Sequence, residues 1–239
     1  MPNWAISNYS FYSKNKNTLK NFLDKLDQWI TEETLYKDAW DGSSKWLGNI
    51  LLHSGFKEND VIDGKHGRCR GEISDLYNEI YETQYNGEPL YYFEMTTETA
   101  WCAMAKMWES IIDKLYPGKI KFCYISIEPM VDYAVKFDPD HIMDKLGYSK
   151  NLEYIFDKFI RVPEYMSLND YDMEVSTQEV VNVLETFLHD KYTKEEIEKF
   201  LKDDELYKLL EEANAILKEK DEENFINIFP IDVLTENEE

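Results

Sequence analysis

Glycine is scarce in this chain, nine in 239 residues, and none falls in a G-x-G-x-x-G or G-x-x-x-x-G-K-[ST] pattern. The backbone cradles that hold dinucleotides and nucleoside triphosphates are therefore missing. Three cysteines, Cys69, Cys102 and Cys123, form no close pair. That excludes a C-x-x-C metal or redox motif and a complete disulfide framework, and it places the expected home of the chain in a reducing cytoplasm. The four histidines, His53, His66, His141 and His189, lie far from one another and from the cysteines. Zinc sites usually pair ligands two to five residues apart, so neither a metal nor a cofactor is expected. There is no G-x-S-x-G elbow, and Cys102 beside Trp101 reads as a small core filler on a helix. No segment approaches the roughly 18 apolar residues of a membrane span. Met1-Pro-Asn-Trp4 has neither the basic nor the apolar part of an export signal.

Positive charge is the other deficit: 26 Lys and Arg stand against 48 Asp and Glu, a net charge of −22. A field of that sign repels nucleic acid and anionic membrane, and it attracts basic protein surfaces. The excess is uneven. Residues 1–60 carry 7 basic and 8 acidic groups, 61–189 carry 12 and 23, and 190–239 carry 7 and 17.

What the chain has is a globular composition, 43% hydrophobic and 15% aromatic, with 17 Tyr, 12 Phe and 6 Trp. Alternation predicts a strand over 4–12, with Ala5, Tyr9 and Phe11 on one face and Trp4, Ile6 and Tyr12 on the other. Leu19, Phe22, Leu23, Leu26, Trp29 and Ile30 recur at helical spacing and predict a helix over 18–33. A second helix from 43 or 44 to 53 ends at Gly55. Strands at 70–77 and 90–96 flank a turn at Asn86-Gly-Glu-Pro89 and read as an antiparallel pair. Thr97 or Thr99 is expected to cap a helix reaching Tyr116. Strands follow at 120–127, 131–137 and 154–162. Ser176-Thr-Gln-Glu179 and Thr193-Lys-Glu-Glu196 fit the capping box, so helices are expected near 177–188, 194–202 and 205–220. Phe225-Ile-Asn-Ile-Phe229 is an apolar cluster suited to docking.

These elements predict an α+β fold, an antiparallel sheet with helices on one face, followed by an acidic C-terminal helical extension. The expected domains are 1–170, an acidic extension over 171–229, and a disordered acidic tail over 230–239.

Two sets of carboxylates are candidates for function. Glu94, Glu98 and Glu128 end neighbouring strands, where they would do acid/base work or hold a hard cation. Glu98 equally suits the start of a helix beside it, and Glu128 an ion pair with Arg68 or Arg70. Glu195, Glu196, Asp203, Asp204, Glu205, Glu211 and Glu212 form an acidic helical surface, readable as a solvated face or as a docking surface for a basic partner. The tyrosines at 91, 92, 124 and 133 and the phenylalanines at 93 and 122 sit among acids, which suits core packing or a protein-binding face better than single-stranded nucleic acid.

Pro2-Asn-Trp4 with Ser7-Asn8, Trp46-Leu-Gly-Asn-Ile50, Cys69-Arg-Gly-Glu-Ile73, Thr97-Glu-Thr-Ala-Trp101 and Tyr124 through Glu128-Pro129 together resemble the YubB-like, ferredoxin-like family of plasmid- and phage-encoded proteins of unknown function. The resemblance covers residues 1 to about 165. The family commonly has Cys where this chain has Ala5, and Gly where it has Met130, and the acidic extension is a further departure. The resemblance implies a ferredoxin-like α+β topology and an accessory role in a mobile element, with no catalytic residues to carry over. Together with the charge, it implies a non-enzymatic protein that binds a basic host protein or ribonucleoprotein complex, with no direct nucleic-acid or membrane contact. In its most concrete form it is an anti-CRISPR-like inhibitor of a nucleic-acid-binding defence complex, acting by nucleic-acid mimicry. An enzyme using Glu94, Glu98 and Glu128, and a structural phage protein that forms homo-oligomers, are the alternatives.

Overall fold

The computed structural model describes residues 4–33, 35, 43–57, 60–62, 65, 66, 70–100, 102–128, 133–146, 154–162, 165–167, 176–203, 205–220, 224–230 and 232–234. Among them the chain is α+β. In order, the elements begin with β1 (Trp4–Ser13), α1 (Lys16–Thr31), α2 (Leu47–His53), the short β2 (Val61–Ile62) and β3 (Lys65–His66), and β4 (Gly71–Leu76). They continue with β5 (Tyr81–Tyr85), β6 (Glu88–Ala100), α3 (Ala105–Leu115), β7 (Lys121–Glu128) and β8 (Tyr133–Phe137). Next come β9 (Tyr154–Val162), β10 (Tyr165–Ser167), α4 (Thr177–Leu188), α5 (Lys194–Lys202), α6 (Leu206–Lys220), β11 (Asn224–Pro230) and β12 (Asp232–Leu234).

The chain divides into two compact units, residues 1–148 with 232–239, and residues 149–231. In the first, seven strands form one sheet in the order β12-β8-β7-β1-β6-β4, with β5 also paired to β6. Every pairing is antiparallel except that of β12 with β8. The alternation expected in the first strand holds: Ala5, Ser7, Tyr9 and Phe11 are fully buried on the face covered by helices, while Trp4 and Ile6 on the other are about two-fifths exposed, at 42% and 38%. Asn15 starts α1 by accepting from the Thr18 amide at 3.0 Å, and the 3.6-residue spacing then buries Leu19, Phe22, Leu23, Leu26 and Trp29. They meet an aromatic core in which Phe11 stacks on Phe93, with centroids 5.2 Å apart, and meets Trp108 edge-on at 5.6 Å. Each such side chain contributes roughly 1.5–3 kcal/mol of burial.

Two expectations in this unit are corrected. The expected antiparallel pair, β4 with β6, is present, but an additional strand, β5, lies between them in the chain. It joins β6 through Asn86 and Gly87, whose positive φ values of 52° and 78° make the two-residue turn that tight hairpins favour. The expected helix from Thr97 or Thr99 starts only at Ala105, because β6 continues to Ala100 against the full length of β1. Thr97 and Thr99 are fully buried strand residues, and ten consecutive pairings outweigh a local capping preference.

In the second unit β9, β10 and β11 form an antiparallel sheet in the order β10-β9-β11. Both expected capping boxes are present, at Ser176 with Glu179 and at Thr193 with Glu196. The apolar faces of α4, α5 and α6 bury Val180, Val181, Leu184, Leu188, Ile197 and Leu209 together with Ile226 of β11. The apolar run 225–229 is thus a paired strand. The strand at 154–162, placed in the first domain by its sequence, belongs to the second unit, and residues 232–234 of the expected disordered tail form β12.

Candidate binding face and pocket

The sheet of the first unit has a second face, opposite α1, α2 and α3. Strand alternation places on it Asn8, Ser10 and Tyr12 of β1, Tyr92, Glu94, Thr96 and Glu98 of β6, Glu72 of β4, and Tyr81, Thr83 and Tyr85 of β5. Residues 138–146 cross part of this face. The Asp138 carboxylate accepts from the amides of Ile142 and Met143 and shapes the crossing. Tyr12 Oη donates to Asp140 Oδ2 at 2.8 Å, Tyr85 Oη to the Asp140 carbonyl at 2.7 Å, and Thr83 Oγ1 to the Lys145 carbonyl at 3.1 Å. Burial pushes the Asp140 carboxyl up, but hydrogen bonds from Lys121 and Tyr12 hold it below the ordinary carboxylate value. Burial, and then the Asp140 carboxylate, raise the Tyr12 phenol well above its own.

Where the crossing segment stops, an open pocket of about 310 Å³ remains, lined by Asn8, Tyr9, Tyr77, Glu94, Met95, Thr96 and Leu146. Thr96 Oγ1 donates to Asn8 Oδ1 at 2.9 Å across two strands. Glu94 stands beside that pair, and its carboxylate has no hydrogen bond or ion pair among the described residues. Burial raises its pKa. Burial also raises the Tyr92 phenol, and the Glu94 charge adds to it. Tyr81 and Tyr92 pack ring to ring at 5.4 Å. A half-buried carboxylate without a counter-charge is costly to the fold, and such groups concentrate at binding and catalytic sites.

The other candidate carboxylates do not converge on it. Glu98 shares the face but lies four residues farther along β6, roughly 13 Å away at strand rise. Glu128, only 1% exposed, shares the helix-covered face with Ser126, whose hydroxyl accepts from Ser7 Oγ at 2.8 Å. The sheet therefore separates Glu128 from Glu94 and Glu98.

The helical acids are partly engaged within their own unit. Glu196 completes a capping box, Glu205 pairs with Lys208 at 2.6 Å, and Glu212 pairs with Lys191 at 2.7 Å and accepts from Tyr192 Oη at 3.0 Å. Glu195, Asp203 and Glu211 are exposed, and Asp204 lies outside the described residues. Over 190–220 ten acidic residues alternate with seven basic ones, so this surface carries little net field.

The longest stretch of the chain without a Lys or Arg runs between Arg70 and Lys106. From 71 to 100 there are seven acidic residues, Glu72, Asp75, Glu79, Glu82, Glu88, Glu94 and Glu98, and no Lys or Arg. These thirty residues supply β4, β5 and β6, one whole edge of the sheet. The signal was present as a gap in basic residues, whereas Asn8, Tyr77 and Leu146 reach the pocket only through folding.

Among the described residues no three His, Cys, Asp or Glu side chains gather as a metal site, and no helix is long and apolar enough to cross a membrane. A scan against protein-family models finds no match for this chain, and searches of curated proteins and of solved structures find none either.

Proposed function

We propose that the protein binds a basic protein surface through the acidic, tyrosine-rich sheet edge formed by β4, β5 and β6. The observation that carries this reading is the run of seven acids without one base over 71–100, the stretch that supplies β4, β5, β6 and their connections, with Glu88 paired to Lys14 from outside the run. Complementary fields of this kind speed encounter and select partners, and exposed tyrosine adds contact area at small entropic cost. Tyr77 at 49% exposure lies within that edge. The most concrete form of the proposal is inhibition of a nucleic-acid-binding defence complex, such as a CRISPR effector, whose basic channel the carboxylates occupy in place of phosphates.

The strand order β7-β1-β6-β4, with a helix after β1 and another between β6 and β7, supports a ferredoxin-like arrangement, and with it the accessory role in a phage or plasmid implied by the family resemblance. The enzymatic alternative retains Glu94 in its pocket but loses the second carboxylate that paired acid/base chemistry needs.

The test is capture from host lysate at about 50 and about 300 mM salt, with duplex DNA as competitor. Capture should be lost at the higher salt, competed by DNA, and abolished when Glu72, Glu79, Glu82 and Glu98 are changed to Lys. Reversal of Glu195, Asp203 and Glu211 should leave it intact. Loss on reversing the helical acids alone would move the surface to the second unit, and capture indifferent to both sets would reject an electrostatic interface.

A further inference from the structure

We infer that the Glu94 pocket is a socket for a guanidinium group, the head of an arginine side chain on the basic partner; the inference rests on the acidic edge being the partner-binding surface.

The reasoning starts from size. At about 310 Å³ the pocket is at the small end of ligand sites, enough for one long side chain and too little for a nucleotide with its base. Its polar groups then fix the charge. Glu94 is an acceptor only, and it has no hydrogen-bond or ion-pair partner among the described residues. The Thr96 hydroxyl already donates to Asn8, which leaves its oxygen lone pairs turned to accept. No base occurs in the thirty residues that form this edge, so nothing on β4, β5 or β6 competes for the carboxylate.

An anionic guest would be repelled by Glu94 and a neutral one would leave its charge without a counter-charge, whereas a cation supplies it. Among cations the aromatic surroundings favour a flat one. Tyr77 lines the pocket, and outside the lining Tyr92, on the face of β6 that carries Glu94, packs ring to ring on Tyr81. Guanidinium stacks on such rings while its forked donors meet a carboxylate in two parallel bonds, which a compact ammonium cannot do.

The experiment is an amide-resolved NMR titration of the full chain with n-butylguanidinium, n-butylammonium and n-butyramide at matched ionic strength. Saturable shifts at Asn8, Tyr77, Met95, Thr96 and Leu146 are expected with butylguanidinium, weaker with butylammonium, and absent with butyramide. Glu94→Gln should weaken butylguanidinium by roughly tenfold or more, the loss of one charge-assisted contact. Glu109→Gln, an exposed carboxylate on α3 across the sheet from the pocket, should stay within about twofold. Glu94→Asp, which keeps the charge, should shift the same amides and so separates a lost charge from a lost fold. Absence of saturable shifts, butyramide binding as tightly as butylguanidinium, or full affinity in Glu94→Gln would each overturn the socket. If the socket fails while capture of the partner still depends on Glu72, Glu79, Glu82 and Glu98, the acidic edge stands without it. If guanidinium binds but reversal of those acids leaves capture intact, the pocket stands and the edge falls.

Discussion

Glu72 on β4 and Glu98 on β6 are direct cross-strand partners, two carboxylates facing each other on the open face of the sheet. Like charges so placed oppose pairing by about 0.2–1 kcal/mol. Glu72→Lys should therefore stabilise the protein by about that amount in urea denaturation, while weakening capture of a basic partner. A variant that gained stability and kept its full affinity would show that this pair lies outside the interface.

The pKa of Glu94 is raised in the folded protein by burial. A raised carboxyl binds its proton more tightly when folded, so its contribution favours folding below the ordinary carboxylate pKa and is lost as pH rises through the folded value. Glu94→Gln should accordingly be more stable than the parent at neutral pH, with the difference vanishing in acid. The neighbouring ionisable groups are Tyr77, Glu79, Tyr81 and Tyr92, with Lys145 on the crossing segment. Glu79 is the other carboxylate among them, so the comparison is best repeated in a Glu79→Gln background. Equal melting temperatures at neutral pH would contradict the burial of this carboxylate.

Gly71 sits where β4 presses on β6. A Cβ there would stand 2.4 Å from the Glu98 carbonyl oxygen and 2.8 Å from Thr99 Cα, and its φ of +153° is itself unfavourable for other residues. Backbone cannot yield as a side-chain tip can, so Gly71→Ala should cost roughly 3 kcal/mol, the upper range of overpacking. Chemical denaturation measures it, and a loss under about 1 kcal/mol would show that the strands separate without penalty.

In the second unit Asn214 of α6 acts as a surrogate strand neighbour for Ile226 of β11. Its Nδ2 donates to the Ile226 carbonyl and its Oδ1 accepts from the Ile226 amide, both at 2.8 Å. Asn214→Leu removes both bonds and leaves two backbone groups unmatched, at an expected cost of about 2–4 kcal/mol. Hydrogen exchange at Ile226 should accelerate accordingly, and unchanged protection would mean the clamp is not what holds β11.

Thr97 Oγ1 is fully buried with no hydrogen-bond partner among the described residues. Replacing it by a methyl of similar shape removes a desolvated hydroxyl, so Thr97→Val should raise stability by roughly 1 kcal/mol. A decrease would reveal a bound water or ligand at that hydroxyl.

Much of the local structure was written in short-range pattern. The stripe from Leu19 to Trp29, the alternation from Trp4 to Tyr12 and the two capping boxes act within one or two turns of chain, and each produced the element it announced. At Thr97 and Thr99 the same local rules pointed to a helix start, and long-range pairing with β1 overruled them. Strand β5 was missed because Tyr81-Glu-Thr-Gln-Tyr85 is a polar edge strand with no apolar face to reveal it. Glu128 parts from Glu94 and Glu98 for a reason of parity: which face a carboxylate takes depends on strand register, and register is set by partners far away in sequence.

The sequence by itself determined the amphipathic helices, the central strand and the acidic charge, including the thirty residues without a base, because periodicity, capping and charge belong to neighbouring residues. Only the tertiary structure decided that those thirty residues form one sheet edge, that Glu128 is walled off from Glu94, and that Asn8, Tyr77 and Leu146 meet around Glu94. Each depends on strand pairing and burial between residues as much as 138 positions apart, from Asn8 to Leu146, which no local pattern encodes.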